Sequence, residues 1–327
     1  MARPIIVDTD GGVDDAAALW WALQDPALEV LAVTVVWGNV PLATAVSSVG
    51  RVLCAAGRPD IPVAVGASGP VGAAPELRPA TFIHGDDGLG NTTDGLPMPV
   101  FALSGVPAPV LLRNLCAERP GEVSLLTIGP LSNLGLALAE NPGFAATVRE
   151  LVVMGGSARA GGNALPNGEA NIAHDPVAAA RVAAAGWAVP PLLVGLDVTR
   201  AATLTEAHFG LLAEHRSAAA AFLDAPLRFY RRFGGAMTAP DCPCHDLVAT
   251  MALSDPTLIP DAPVLPMAVD AAGGPAWGST VVDFRAAAMV AQRGAEQDRP
   301  EGFGPWRIGL RADVGRFREQ AAALFGG

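Results

Sequence analysis

The chain contains no lysine: all 21 of its Lys+Arg side chains are arginine. That absence removes Schiff-base catalysis, which needs a lysine amine, and argues against a P-loop, whose lysine normally reaches the phosphates. Arginine usage with abundant alanine also fits a coding bias, so the absence constrains chemistry without assigning any. Positive charge is scarce too, with a formal net charge of −11 and a pI near 4.8. A nucleic-acid partner needs clustered cations to displace counterions, so small neutral or cationic ligands suit this chain better. No apolar run is long enough to span a bilayer, and Asp8 arrives too early for a secretory h-region. The expectation is a soluble, cytoplasmic protein. Four cysteines, Cys54, Cys116, Cys242 and Cys244, are too few and too unevenly spaced for a disulfide framework. Cys242-Pro243-Cys244 before His245 lacks the second ligand pair of a zinc clip, and buried thiols are expected there.

What is present is a chain of 327 residues, 51% hydrophobic, enough for the core of one large α/β domain spanning 1–327. Short runs rich in branched apolar residues, at 5–7, 30–36, 61–65, 123–128, 151–154 and 191–196, read as buried strands. Alanine-rich segments at 16–24, 43–56, 131–140 and 176–185 read as helices between them. Asp175-Pro176 supplies an N-cap and first-turn proline, and Asn141-Pro142 a helix stop. The alternation predicts an α/β fold, open and Rossmann-like, with a mostly parallel central sheet flanked by helices on both faces. Such sheets collect ligands at the carboxyl ends of their strands, which aligns Asp8 to Asp15, Gly38-Asn39, Ile128-Gly129 and Gly155-Gly156 along one rim. A stretch around 78–96, with Gly, Asp, Asn and Thr about His84, is expected to form a mobile flap over that rim. After about Asp255 the chain is Pro- and Gly-rich, ends in an expected helix over 314–324, and carries no chemical motif.

The strongest signal is Val7-Asp8-Thr9-Asp10-Gly11-Gly12-Val13-Asp14-Asp15-Ala16, four carboxylates at one strand-to-helix turn. Glycines let the backbone turn sharply enough for Asp8, Asp10, Asp14 and Asp15 to converge on one point. Like charges so close repel, and a hard divalent cation with oxygen ligands, Ca²⁺, would offset that. Acids matched to a helix dipole explain one or two aspartates, not four. His245-Asp246, in a turn before a helical run, could add a cation ligand and a proton donor, although alone it reads better as a cap. Asn163, Asn167, Glu169 and Asn171, in the glycine-rich loop after Met154-Gly155-Gly156, could bind several sugar hydroxyls at once, although alone they read as a polar surface loop. Trp20, Trp21, Trp37 and Trp187 read as core or helix-face residues rather than stacking platforms.

These motifs, in this order, resemble the signature of the nucleoside hydrolases, the inosine-uridine-preferring N-ribohydrolase type. The likeness extends to Gly38-Asn39, His84-Gly85, Gly129-Pro130-Leu131-Ser132-Asn133, Glu169-Ala170-Asn171-Ile172, Asp175-Pro176 and His245-Asp246. It implies Ca²⁺ held by Asp10, Asp15, Asp246 and the backbone carbonyl of Ile128, and a ribose gripped by Asp14, Asn39, Asn163, Glu169 and Asn171. His84 would belong to the flap and His245 would lie beside the leaving base, with a variable base-contacting segment around Phe229, Tyr230 and Phe233. The implied activity is hydrolysis of ribonucleosides to ribose and free base, by a homodimer or homotetramer acting in nucleoside salvage. An oxocarbenium-like centre would be stabilised by the carboxylates, with Asp10 as general base and His245 as acid, by direct displacement with inversion.

Two other readings fit part of the pattern. Val7-Asp8-Thr9-Asp10-Gly11 also resembles the opening of haloacid-dehalogenase-like phosphatases, but those use Mg²⁺ and a lysine, which this chain lacks. A Ca²⁺-dependent nucleoside or sugar binding protein would keep the site without turnover, although it would have no use for the Asp10 and His245 pair.

Overall fold

Ile5 and Val7 enter one buried apolar cluster and Ile6 enters a second, on the opposite face of strand β1 (Arg3–Thr9). A strand covered on both faces shows an unbroken apolar run, which is what the sequence displays there. The computed structural model describes residues 2–72, 77–93, 95–238, 241–285 and 301–326; the side chains of 233–238, and with them the expected contact at Phe233, lie outside the described residues. β1 is followed by β2 (Leu28–Val35), β3 (Val63–Val65), β4 (Ser124–Thr127), β5 (Glu150–Met154) and β6 (Leu192–Val194). Two short strands, β7 (Thr203–Leu204) and β8 (Cys242–Pro243), pair with each other, and β9 (Val264–Val269), β10 (Thr280–Val282) and β11 (Gly304–Ile308) complete the main sheet. Its nine strands run in the order β10-β9-β11-β6-β5-β4-β1-β2-β3.

All neighbouring pairs are parallel except those of β9, which runs against both β10 and β11. The predicted α/β class and mostly parallel sheet therefore hold, extended by three strands from the region after Asp255. Those strands are hard to see in sequence because Pro266 and Pro305 interrupt β9 and β11, directly opposite each other in register, and β10 has only 3 residues.

From β1 the chain winds outward through β2 to β3, then returns to the other side of β1 and continues through β4, β5 and β6. The connection order thus reverses at β1, leaving a crevice outside its carboxyl end, the place where open α/β sheets bind ligands. Helices Val13–Gln24 and His245–Ser254 pack against each other on one face. Helices Ser132–Glu140 and Pro176–Ala183 cover the other. Both helices of the first pair begin at the rim, so two segments more than two hundred residues apart deliver their first turns to one point. Among the described residues no helix is long and apolar enough to cross a membrane.

Candidate active site

Helix Val13–Gln24 starts three residues earlier than its alanine run suggests, which places Asp14 and Asp15 in its first turn. The turn before it depends on Gly11, which has φ 71° and lies so close to Ala45 that a Cβ would come within 2.7 Å of that residue's Cα. Asp15 turns back over this loop and organises it. It accepts from Thr9 Oγ1, from the backbone N–H of Asp10 at 3.2 Å and Gly12 at 2.9 Å, and from Asn39 Nδ2 at 3.1 Å. Asn39 also donates to Asp10 twice, from its backbone N–H at 2.7 Å and from Nδ2 at 3.0 Å. One amide therefore bridges two carboxylates, and both of its hydrogens are engaged there.

Helix His245–Ser254 places His245 and Asp246 in its own first turn, with Cys244 as an N-cap that makes no side-chain bond. Neither residue is a cap. Asp246 instead joins Asp14 and Asp15, and one oxygen of each lies within 4.8 Å of the others, all three residues buried. Asp10 falls outside this tightest group, although its charge reaches both Asp15 and Asp246. The Ile128 carbonyl accepts from Asn171 Nδ2 at 3.1 Å.

Asp8 departs from the expected convergence. In the β register it stands level with Thr34 and Thr127, and its Oδ1 accepts from Thr34 Oγ1 and, at 2.7 Å, from Asn133 Nδ2. It braces the strands beneath the site, with Oδ2 buried and without a hydrogen-bond partner among the described residues, and burial pushes the carboxyl up to about 7. Three of the four N-terminal carboxylates, not four, face the rim.

Electrostatics single out the same residues. Burial, then the charge of Asp15, raises Asp14 to about 7; burial and Asp15 likewise push Asp10 well above the usual carboxylate range. Asp246 is driven up by burial and by Asp14, Asp15 and Asp10 in turn. Carboxyls in this state are held by mutual repulsion in a dry site, and a cation among them would reverse the shift. The donor set fits a hard divalent ion: carboxylate oxygens only, from three chain positions, with carbonyls nearby.

Above the acids lies a cavity of about 310 Å³, lined by Asp14, Asn39, His84, Ile128, Asn163, Glu169, Asn171, His245 and Asp246 among others. Of the expected site residues, only Asp10 and Asp15 sit behind this lining rather than in it. His84 ends the short helix Thr81–His84, and its Nδ1 accepts from the backbone N–H of Val13 at 3.1 Å, which leaves the proton on Nε2. Burial lowers it to about 4, so it is neutral near pH 7. The segment that follows is tied by Asp87, which accepts from the N–H groups of Leu89, Asn91 and Thr93 at 2.7, 2.8 and 2.9 Å. His245 Nδ1 meets Thr199 Oγ1 at 2.7 Å; burial, Arg200 and His84 lower it to about 4.

Glu169 caps helix Ala170–His174, accepting from Gly156, Asn171 and Ile172 N–H groups at 2.8, 3.0 and 3.2 Å, and burial raises it despite them. Asn163 Oδ1 accepts from the Ala170 N–H at 2.9 Å, which brings the glycine-rich loop to this helix. Arg200 holds the same loop through the Ala160 and Gly162 carbonyls, at 2.5 and 2.7 Å.

Two polar lining residues, Arg200 and His174, belong to no motif, whereas Tyr230, the only tyrosine of the chain, lies in the variable segment that the resemblance implied. Tyr230 donates to Asp14 Oδ2 at 3.3 Å and packs its ring 5.3 Å from His84.

The whole arrangement is that of the nucleoside hydrolases: the chain superimposes on a plant nucleoside hydrolase with a TM-score of 0.87, covering 100% of this chain and 98% of that one at 31% identity. Residues 5–319 match the inosine-uridine preferring nucleoside hydrolase family, and the chain belongs to it, a family of N-glycosyl hydrolases. The non-specific ribonucleoside hydrolase RihC of Escherichia coli is 37% identical over 286 residues, 87% of this chain and 89% of that protein. Uridine nucleosidase 1 of Arabidopsis thaliana is 38% identical over 228 residues, 69% of this chain and 66% of its own length, so the match spans about two thirds of that relative. Family membership displaces the phosphatase reading.

Proposed function

We propose that this enzyme hydrolyses the N-glycosidic bond of ribonucleosides, releasing ribose and a free base for nucleoside salvage. The observation that carries the reading is the buried Asp14, Asp15 and Asp246 group at the floor of a cavity walled by amides and imidazoles. A divalent cation held by Asp10, Asp15, Asp246 and the Ile128 carbonyl, Ca²⁺ in our reading, would grip a vicinal diol and acidify water when bound.

The chain's own residues supply the rest. Asp10, held in place by two hydrogen bonds from Asn39, takes a proton from the attacking water. Asp14 and its neighbours present negative charge to the developing oxocarbenium centre. Glu169, both oxygens already on backbone N–H groups, has lone pairs left for a sugar hydroxyl, and Asn163 and Asn171 lie beside it. His84 offers Nε2–H from the short helix above. His245, neutral near pH 7 and oriented by Thr199, can donate to the departing base if the threonine hydroxyl donates to Nδ1.

The uridine nucleosidase among the relatives makes uridine the first substrate to assay, and the non-specific relative makes inosine the second. Ribose release from neither, with and without added calcium, would sink the proposal. His245→Ala should lower kcat for inosine by about 10²-fold while sparing a riboside with a nitrophenolate leaving group, which needs no proton. Equal losses on both substrates would remove His245 from the acid role.

Gly38 provides a steric test. A Cβ there would lie 2.1 Å from Asp10 Oδ2 and 2.8 Å from Pro130 Cδ, so Gly38→Ala must displace the base. Turnover should fall by about 10²-fold in a folded protein, the scale of an ångström's misplacement; wild-type kcat in that variant would contradict the tight positioning of Asp10.

A further inference from the structure

Helix Leu196–Thr199, a single turn that follows β6, serves two parts of the site at once. Thr199 meets the His245 imidazole, while Asp197 and Arg200 both reach the glycine-rich loop. Asp197 accepts from the Ala158 and Arg159 N–H groups at 2.6 and 2.8 Å. Arg200, in the cavity wall, donates from Nη1 and Nη2 to the carbonyls of Ala160 and Gly162. An anion thus takes the donors of the first two loop residues and a cation takes the acceptors of the next part. Hydrogen bonds to ionised groups are roughly twice as strong as neutral ones, and the planar fork of a guanidinium suits two carbonyls at fixed spacing.

The loop has little else to set its seat. Residues 158–167 are all exposed or half-buried, and Ala158 and Ala160 offer the apolar clusters one methyl group each. Gly161, at φ 72°, adds conformational freedom in the middle of the run. From Gly162 to Gly168 the backbone bonds mainly to itself: the N–H groups of Asn163, Ala164 and Leu165 converge on the Gly168 carbonyl at 3.3, 3.2 and 3.0 Å. Such a turn holds its own shape, but its placement over the cavity depends on its anchors. Arg200 grips it at Gly162, immediately before Asn163. Asn163 Oδ1 is taken by the Ala170 N–H, which leaves its side-chain NH₂ for a ligand.

Resting on the reading above, in which Asn163 grips the sugar, we infer that Arg200 is a positioning residue that acts through Asn163. Its two bonds to the loop carbonyls fix where the Asn163 amide stands, so the wall is formed before the nucleoside arrives. Binding then does not have to order the loop.

The test is a double-mutant cycle on uridine hydrolysis with wild type, Arg200→Met, Asn163→Ala and the double variant. Arg200→Met keeps an apolar stem and removes both bonds. It should raise KM by about tenfold with kcat within about twofold of wild type, the pattern of a grip made equally in ground and transition states. In the Asn163→Ala background the same substitution should raise KM by less than about twofold, because the group it positions is gone. Arg200→Lys, which keeps the charge without the fork, should lie between wild type and Arg200→Met, and it takes the place of methionine in the cycle if that variant does not fold. A tenfold loss in both backgrounds would show Arg200 acting on the substrate directly or through His245, and would overturn the assignment. Wild-type KM in Arg200→Met, or a loss confined to kcat, would overturn it as well, each leaving the hydrolase reading intact. A wild-type enzyme that releases no ribose would overturn both.

Discussion

Asp10→Ala should lower kcat by about 10³- to 10⁴-fold, the larger end of what a positioned base contributes, because it also takes a carboxylate from the cation's surroundings. The expected stability change separates this loss from misfolding. Asp10 is buried beside Asp15 and pushed well above the usual carboxylate range by burial and by that neighbour's charge, so deleting it relieves repulsion. The backbone N–H and side-chain amide of Asn39 each lose an Asp10 oxygen, but the side-chain amide keeps Asp15 at 3.1 Å. The cation-free variant should therefore melt no lower than cation-free wild type while its turnover collapses. A variant that retains a tenth of wild-type kcat would remove Asp10 from the base role. One that loses activity and thermal midpoint together would make it a structural residue.

Much of this site was legible because its chemistry is concentrated in short segments at strand ends. A carboxylate needs no long-range information to be read when it sits with three others around two glycines, and the strand-glycine-helix pattern fixes the end of the sheet at which it lies. Asp246 reads in sequence as a possible cation ligand, and the family resemblance ties it to the N-terminal turn; the physical link, the packing of helix His245–Ser254 against Val13–Gln24, is tertiary. Asp8 shows the limit of spacing as a guide. Nothing in its neighbours distinguishes it from Asp10, and only the strand register that sets Thr34 beside it, with Asn133 reaching across, turns it to bracing.

Other features were hidden for equally physical reasons. Asn39, expected at the ribose, has its amide hydrogens committed to Asp10 and Asp15, a contact between residues more than twenty positions apart. His174 is masked by the Asp175-Pro176 cap that follows it, and its place in the cavity wall is set by the fold alone. The last three strands of the sheet escaped because β9 and β11 each contain a proline and draw their stability from pairing with neighbours rather than from local propensity.

Removing the divalent cation should abolish turnover and also reveal a pH-dependent loss of stability whose sign follows from the same carboxyls. Asp10, Asp14 and Asp246 bind protons more tightly in the folded chain than the ordinary value of 3.8, Asp14 up to about 7. Between pH 4 and 7 the folded state then holds more protons than the unfolded one, so the cation-free protein loses stability as pH rises through that window. Asp8, raised to about 7 by burial, adds to the trend, but it faces Thr34 and Asn133 and should contribute equally with or without the ion. A cation competes with protons for the other three, so its stabilisation should be small at pH 5 and grow toward pH 8. Calcium at one hundred times its dissociation constant contributes about 2.7 kcal/mol, a rise in melting temperature of about 4 °C for a chain of this size. Melting curves of chelated and calcium-loaded protein from pH 5 to 8 provide the measurement, with ribose release recorded on the same samples. Full activity after exhaustive chelation would remove the metal from the mechanism. A calcium-induced shift that shrinks as pH rises would place the ion somewhere other than among these carboxylates.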